Sequence, residues 1–338
     1  MQRCIKLAEK GLGKTFPNPL VGSVIVYKDN IIGEGWHQKA GSSHAEVNAM
    51  SNVQNKEFLS KSTLYVSLEP CNHFGKTPPC SDLIIKNKIP RVVIASTDSN
   101  PLVAGKGIEK LKKAGCEVLI GVLKKEADFL NRRFFTFHNL KRPYIILKWA
   151  QTKNNFIAPI KKKTDNPEIF WITNNRSKQR VHKWRSEEAA ILVGVQTVIN
   201  DNPELTNRDW TGKNPIRIVI DPNGRTPKDS KLFQDNIPTL FFTKDPIKLL
   251  PNKKEQKIVS PFSIKNILKE CYKLKIQSII VEGGLRTLES FIKNNLWDEA
   301  RVFKTDKKIK TGILAPEFKK NSSRTEIYEG DILDVYFN

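Results

Sequence analysis

The sequence predicts an α/β protein built as two successive domains, and three observations carry that expectation. Short apolar runs alternate with amphipathic segments of helical period along both halves. A basic, proline-bearing junction, NLKRPYIILKWAQT, interrupts the alternation near residue 141. At 338 residues the chain is also longer than one average domain. The expected boundaries are 1–141 and 142–338, with a three-layer α/β/α arrangement in the first domain.

In the first domain, residues 2–10 read as a helix stopped by Gly11 and Gly13, with Pro17 and Pro19 in a rigid loop behind it. LVGSVIVYKDNIIGEGWH reads as two strands joined by a turn at Asp29-Asn30. Residues 44–52 suit a helix, and STLYVSL is a buried strand running into Glu69-Pro70-Cys71. A helix over 80–87 follows Pro79; RVVIAST, GKGIEKLKKAG and CEVLIGV then give strand, helix, strand. In the second domain a strand over 144–150 is followed by EIFWITN as another strand and SKQRVHKWRSEEA as a helix. AILVGVQTVINDNP supplies a strand and then a turn-rich loop. PIRIVID and TLFFTK are further strands, SIKNILKECYKLKI a helix, SIIVEGG a strand into a glycine pair, and TLESFIKNNL a helix.

Composition excludes several classes of protein. Apolar content of 39% with 27% charged residues is that of a soluble globular chain. No stretch approaches the roughly 18 apolar residues of a membrane helix, and the N-terminus lacks the apolar region of a secretory signal. A cytoplasmic location is expected. The formal charge of +22 comes from lysines spread over both halves, so it does not single out a nucleic-acid partner, and it equally suits anionic phosphate esters. A homo-oligomer is compatible with all of this. Five scattered cysteines do not form a disulfide framework, but Cys71 and Cys80 share one segment, which suits a metal.

Two stretches, SSHAEVNAM and EPCNHFGKTPPC, supply the first candidate site. A catalytic zinc takes three protein ligands and keeps one open position, and His44, Cys71 and Cys80 provide that number. Glu46, two residues from His44, is placed to handle the proton of a metal-activated water without being a ligand. Zinc deaminases carry H-x-E followed by P-C-x-x-C. Here the second cysteine follows eight intervening residues, among them His73, Gly75 and Lys76. His73 is the alternative third ligand.

These motifs, with TFPNPLVGSVIV, GEGWH and TDSNPLVAGKGIEKLKKAGCEV, resemble the deaminase half of the bifunctional riboflavin-biosynthesis deaminase/reductase family. The resemblance continues through RPYIILKWAQT, HKWRSEEAAILVG, TVINDNPELTNR and VEGG and spans nearly the whole chain. It implies a cytidine-deaminase-like domain followed by a dihydrofolate-reductase-like domain, with Zn2+ and NADPH as cofactors. The implied substrate is a phosphorylated pyrimidine, a diaminopyrimidine carrying a phosphoribosylamino group. It is deaminated to the uracil form, and its ribosyl chain is then reduced to ribityl. Asn18 would help to hold it, with Asn100 and Gly107 as weaker candidates.

The second half is less explicit by itself. Gly283 and Gly284 suit the close approach of backbone amides to a phosphate, without the G-x-G-x-x-G fingerprint. Arg208 is a candidate phosphate partner, and Trp171, Trp184 and Arg185 either flank a flat ring or belong to the core. The resemblance assigns Ala150, Trp171, Thr197, Asp201 and Gly284 to the cofactor, and Arg185, Leu205, Arg208 and Glu282 to the substrate. Two departures touch this half. TKNN at 152–155 replaces the usual Ser-Leu-Asp-Gly, so Asn154 and Asn155 are expected to reshape or weaken the cofactor entrance, and Ala189 stands where aspartate is common. The rival reading is a deaminase of a nucleoside or RNA base whose second domain no longer reduces; a structural zinc site is the non-catalytic alternative.

Overall fold

A computed structural model of the protein describes residues 1–338 except 73, 75–77, 99–104, 163–164 and 247–253. The chain divides into two compact units, Met1–Lys141 and Arg142–Asn338.

The first unit opens with α1 (Gln2–Glu9) and the hairpin β1 (Gly22–Tyr27) and β2 (Asn30–Trp36). The hairpin turn is Lys28-Asp29, one residue earlier than expected, with Tyr27 paired to Asn30. Both turn residues take positive φ, 45° and 62°, the two-residue geometry whose twist matches that of the strands. There follow α2 (Ala45–Ser51), β3 (Thr63–Leu68), α3 (Cys80–Lys86), β4 (Arg91–Ser96), α4 (Lys106–Lys113), β5 (Glu117–Ile120), α5 (Lys124–Leu130) and α6 (Arg132–Leu140). The sheet order is β2-β1-β3-β4-β5, with β1 antiparallel to both neighbours and β3, β4 and β5 parallel. Alternation along β1 sends Val24 to α1 and Ile25 to the opposite core, where Ala49 of α2, Ile84 of α3 and Leu111 of α4 also pack. Helices therefore cover both faces, and the unit has three layers.

The second unit contains β6 (Tyr144–Gln151), β7 (Phe156–Pro159), α7 (Asn175–Glu187), β8 (Ala190–Gly194), α8 (Val195–Asp201), β9 (Ile216–Ile220) and β10 (Thr239–Thr243). It continues through β11 (Lys254–Ile258), α9 (Ile264–Lys273), β12 (Ser278–Val281), α10 (Leu285–Lys293), β13 (Glu299–Lys304), β14 (Gly312–Leu314), β15 (Arg324–Tyr328) and β16 (Asp331–Phe337). Its sheet runs β11-β10-β9-β8-β12-β6-β13-β16-β15, parallel from β11 to β13 and antiparallel at β16. Ile145, Leu147 and Trp149 of β6 face α9 and α10; Tyr144 and Ile146 face the opposite core with Val181 of α7 and Val198 of α8.

Two expectations need correction here. EIFWITN is not a strand: its backbone bonds elsewhere, with the Glu168 N–H on the Asn200 carbonyl and the Asn174 N–H on the Asp331 carboxylate. Its Phe170 and Trp171 are each 42% exposed. The turn-rich loop expected after AILVG begins instead as α8, whose β-branched Val195, Thr197, Val198 and Ile199 disguised a helix.

Candidate active sites

In the first unit, the His44 side chain leaves the chain at the N-cap of α2, in extended backbone conformation. Cys71 follows β3 by a short loop, and Cys80 is the first residue of α3. The His44 imidazole Nδ1 and the two Sγ atoms lie within 4.8 Å of one another. Nδ1 is 3.3 Å from Cys80 Sγ and 3.5 Å from Cys71 Sγ, while the Cys80 backbone N–H donates to Cys71 Sγ at 3.3 Å. The hydrogen bond with Cys80, then that with His44, pulls the Cys71 thiol well below the usual thiol range, and the same contact with Cys71, then burial, pushes the Cys80 thiol up. One nitrogen and two sulfurs, clustered and partly to fully buried, are a donor set suited to a soft divalent metal. Among the described residues this is the cluster of its kind.

Glu46 sits in the first turn of α2 and is 3% exposed. Burial, then the Cys71 thiolate, pushes its carboxyl up to about 7. Asn18 donates through Nδ2 to His37 Nε2 at 3.0 Å, and His37 Nδ1 meets the Ser43 carbonyl at 3.1 Å. The His37 ring stands edge-on to His44, with centroids 5.6 Å apart, so Asn18 is tied to the neighbour of His44. Gly107 has a packing role: a Cβ there would lie 2.1 Å from the Pro70 carbonyl oxygen. The buried Glu69 carboxylate accepts the N–H groups of Gly105 and Gly107 at 3.0 and 3.1 Å, which pins the start of α4 against the Cys71 loop. His73, Gly75, Lys76 and Asn100 lie outside the described residues.

In the second unit, the carboxyl ends of β8, β12 and β6, three neighbouring parallel strands, open into a cavity of about 550 Å³. Ligands of parallel α/β sheets settle at this edge. Ala150, Trp171, Thr197, Asp201 and Gly284 line it, as do Arg185, Leu205 and Glu282. Arg208 is not among the lining residues; its side chain is 40% exposed and pairs with Glu204 at 3.8 Å. Trp184 is a core residue, 4% exposed, with the Arg301 guanidinium 4.5 Å from its ring. Trp171 keeps an exposed ring under the Lys178 ammonium, 4.0 Å away.

Glu282 follows β12 and receives Arg185 in a two-pronged pair, with Lys148 Nζ 3.4 Å from Oε2. Burial opposes its ionisation, but the two cations prevail and pull its carboxyl down to about 2. Burial lowers the Lys148 ammonium and likewise raises the carboxyl of Asp201, which Lys161 pairs with at 3.5 Å. Gly284 donates its N–H to Thr197 Oγ1 at 3.2 Å, joining two cavity residues from different elements.

Residues 143–305 match the family described as the RibD C-terminal domain, and residues 1–96 match the cytidine and deoxycytidylate deaminase zinc-binding region. The riboflavin biosynthesis protein RibD of Aquifex aeolicus is 45% identical over 309 residues, covering 90% of this chain and 85% of that protein. The chain belongs to the RibD family. The RibD of Escherichia coli is 34% identical over 322 residues, covering 90% and 86%. The structure of a diaminohydroxyphosphoribosylaminopyrimidine deaminase/5-amino-6-(5-phosphoribosylamino)uracil reductase from Thermotoga maritima matches with a TM-score of 0.89 and 36% identity, covering 99% of this chain and 96% of that one. Acinetobacter baumannii RibD matches with a TM-score of 0.89 and 32% identity, covering 99% and 97%. The deaminase-type unit and the reductase-type unit of this RibD-family chain are thus the α/β architectures that the motifs implied.

The departures from the family pattern sit outside this cavity. Thr152–Asn155 forms the turn between β6 and β7, and Asn155 takes the left-handed φ of 62° that a glycine would supply. Asn154 uses its amide where the acid is missing: Nδ2 donates to the Ile309 carbonyl at 2.7 Å and Oδ1 accepts from Thr152 Oγ1 at 2.9 Å. Ala189 immediately precedes β8, packs on the core, and donates its N–H to Ser278 Oγ. None of the three lines the cavity. Sequence reading missed Lys148 and His182, both cavity residues. Lys148 had a signal, since it shares a strand face with apolar Tyr144, Ile146 and Ala150.

Proposed function

We propose that the two units carry out consecutive steps on one pyrimidine of riboflavin biosynthesis, deamination in the first and reduction in the second. The observation that carries the first step is the convergence of His44 Nδ1, Cys71 Sγ and Cys80 Sγ beside the buried carboxyl of Glu46. Zn2+ fits this donor set, and when bound it supplies a Lewis acid that makes water acidic near neutral pH. Glu46, a buried carboxyl that is not one of the three ligand side chains, would take a proton from the attacking water as its oxygen adds to the ring carbon bearing the amine, and would return it to the leaving nitrogen. Ammonia departs and the uracil form remains. Asn18, oriented by His37, holds the ring or its sugar.

The second step belongs to the cavity at the β8-β12-β6 edge, whose volume suits a cofactor-sized ligand. NADPH, when bound, supplies hydride. Ala150, Trp171, Thr197, Asp201 and Gly284 form its cradle, and Thr197 ties Gly284 so that the backbone amides at the start of α10 stay in register. Arg185, Leu205, Arg208 and Glu282 receive the phosphoribosylamino substrate. Arg208, on a segment whose Leu205 lines the cavity, reaches for the phosphate, and the Arg185–Glu282 pair fixes the floor beneath the sugar.

The test is mass spectrometry on purified zinc-loaded protein with the phosphoribosylamino-diaminopyrimidine, with and without NADPH. Exchange of NH2 for OH raises the mass by about one unit and reduction by about two more. Both shifts, the second only with NADPH, are expected. The first alone would mean that the second unit has lost reduction; neither, with zinc in place, would favour a nucleoside or RNA base as substrate.

A further inference from the structure

We infer that His182 is a positioning residue for the reduction step, stitching the Arg208 segment to α7; the inference rests on the reading of the second unit as a reductase whose Arg208 meets substrate phosphate. His182 lines the cavity and its side chain is 3% exposed. Its Nδ1 lies 3.2 Å from the backbone nitrogen of Arg208, and its Nε2 lies 3.2 Å from Asp209 Oδ2. A backbone N–H only donates, so Nδ1 is the acceptor, Nε2 carries the proton, and the ring donates that proton to Asp209. One imidazole thus grips two consecutive residues through opposite edges.

Arg185, three residues along the same face of α7, grips the same segment: its Nη1 donates to the Thr206 carbonyl at 3.0 Å. Residues 206–209 are therefore held at three points by two side chains of one helix. Among the described residues, the Arg208 side chain pairs loosely with Glu204, at 3.8 Å across an exposed pair. Its reach toward a ligand is set by where the backbone is fastened, and His182 is the fastener. This role touches neither the cofactor cradle nor the transferred hydride, so it belongs to substrate binding rather than to chemistry.

The experiment is steady-state reduction of the phosphoribosylaminouracil by full-length wild type, H182L, H182N and D209N, with deamination by the same preparations as the control for an intact chain. H182L removes the acceptor; H182N returns one, because an asparagine Oδ1 occupies nearly the place of imidazole Nδ1. H182L is expected to raise the KM for the pyrimidine about five- to tenfold, with kcat within about twofold and the KM for NADPH unchanged. H182N restores most of the loss, and D209N, at a half-exposed position, shows a smaller rise of the same kind. If H182L does not fold, the comparison of D209N and H182N with wild type carries the test. Falling kcat, a matching rise in the NADPH KM, or H182N no better than H182L would overturn the inference. A wild type that does not reduce the substrate overturns the reductase reading instead.

Discussion

Arg185 and Glu282, 97 residues apart in the chain, meet edge to edge: Nε to Oε1 and Nη2 to Oε2 are both 2.9 Å. The side chains are 12% and 9% exposed, so the pair is removed from water and planar in the geometry that suits guanidinium and carboxylate. Glu282 is shared with Lys148, so E282Q strips both buried cations of their partner and should destabilise the second unit by about 3–5 kcal/mol. R185L, which leaves Glu282 with Lys148, should cost less, and the double change to leucine should cost less than the sum of the two. Denaturant unfolding followed by tryptophan fluorescence reads this unit, since Trp36 alone lies outside it. Additive losses in the double variant would show that the pair is not coupled.

Acid should weaken the second unit in a defined window. An ordinary histidine titrates near 6.5. Burial, then the Arg185 charge, lowers His182 to about 4. Between those values the unfolded chain binds a proton that the folded unit refuses, so stability falls as pH drops from about 6.5 to about 4 and this contribution levels off below. Melting temperatures across that range should decline more steeply for wild type than for H182N. Parallel slopes would assign the decline to other groups.

E46Q should keep zinc and lose deamination by about two to four orders of magnitude, because the amide has the shape of the acid without its proton traffic. Metal content by atomic absorption and ammonia release are the paired readouts. Zinc lost together with activity would make Glu46 a structural support of the site.

Removing metal should separate the two activities. Chelation is expected to abolish deamination while NADPH-dependent reduction of the uracil form continues. It should also expose a selective thiol: Cys71, half-buried and lowered by its hydrogen bond with Cys80, ought to alkylate at neutral pH well before Cys4 and Cys271, which are fully buried and whose thiols burial pushes up to about 12. Peptide mapping after brief iodoacetamide treatment decides this, and uniform labelling would contradict it.

Asn155 offers a test of the unusual turn. Its φ of 62° costs a side chain with a Cβ about 1 kcal/mol, less for asparagine than for alanine. N155G should therefore be neutral or slightly stabilising and N155A destabilising by about 1 kcal/mol, both with reduction intact because the turn does not line the cavity. A large loss of reduction in N155G would restore the turn to the cofactor entrance.

The first site was legible from spacing because its parts are local. His44 and Glu46 share one helix start, and Cys71 and Cys80 are nine positions apart in the chain, so residue type and separation already limit the chemistry. What spacing did not reveal was support from other elements, such as the Glu69 carboxylate that fastens α4 and the His37 ring that orients Asn18. Each acts across tens of residues through hydrogen bonds that leave no period in the sequence. The EIFWITN segment failed for a related reason. Its apolar residues satisfy a strand pattern, yet they wall a cavity, because the backbone found partners at Asn200 and Asp331 rather than in a ladder.

The sequence by itself determined the α/β alternation, the metal-type donor set and the family, since these rest on residue chemistry at short or repeated separations. Only the tertiary structure decided that Lys148 and Arg185 converge on Glu282, that His182 grips Arg208 and Asp209, and that Asn154, Asn155 and Ala189 stand clear of the cavity. The physical reason is the parallel sheet. It lays strand ends from distant parts of the chain side by side, and burial at that edge makes every charge find a partner that its sequence neighbours do not supply.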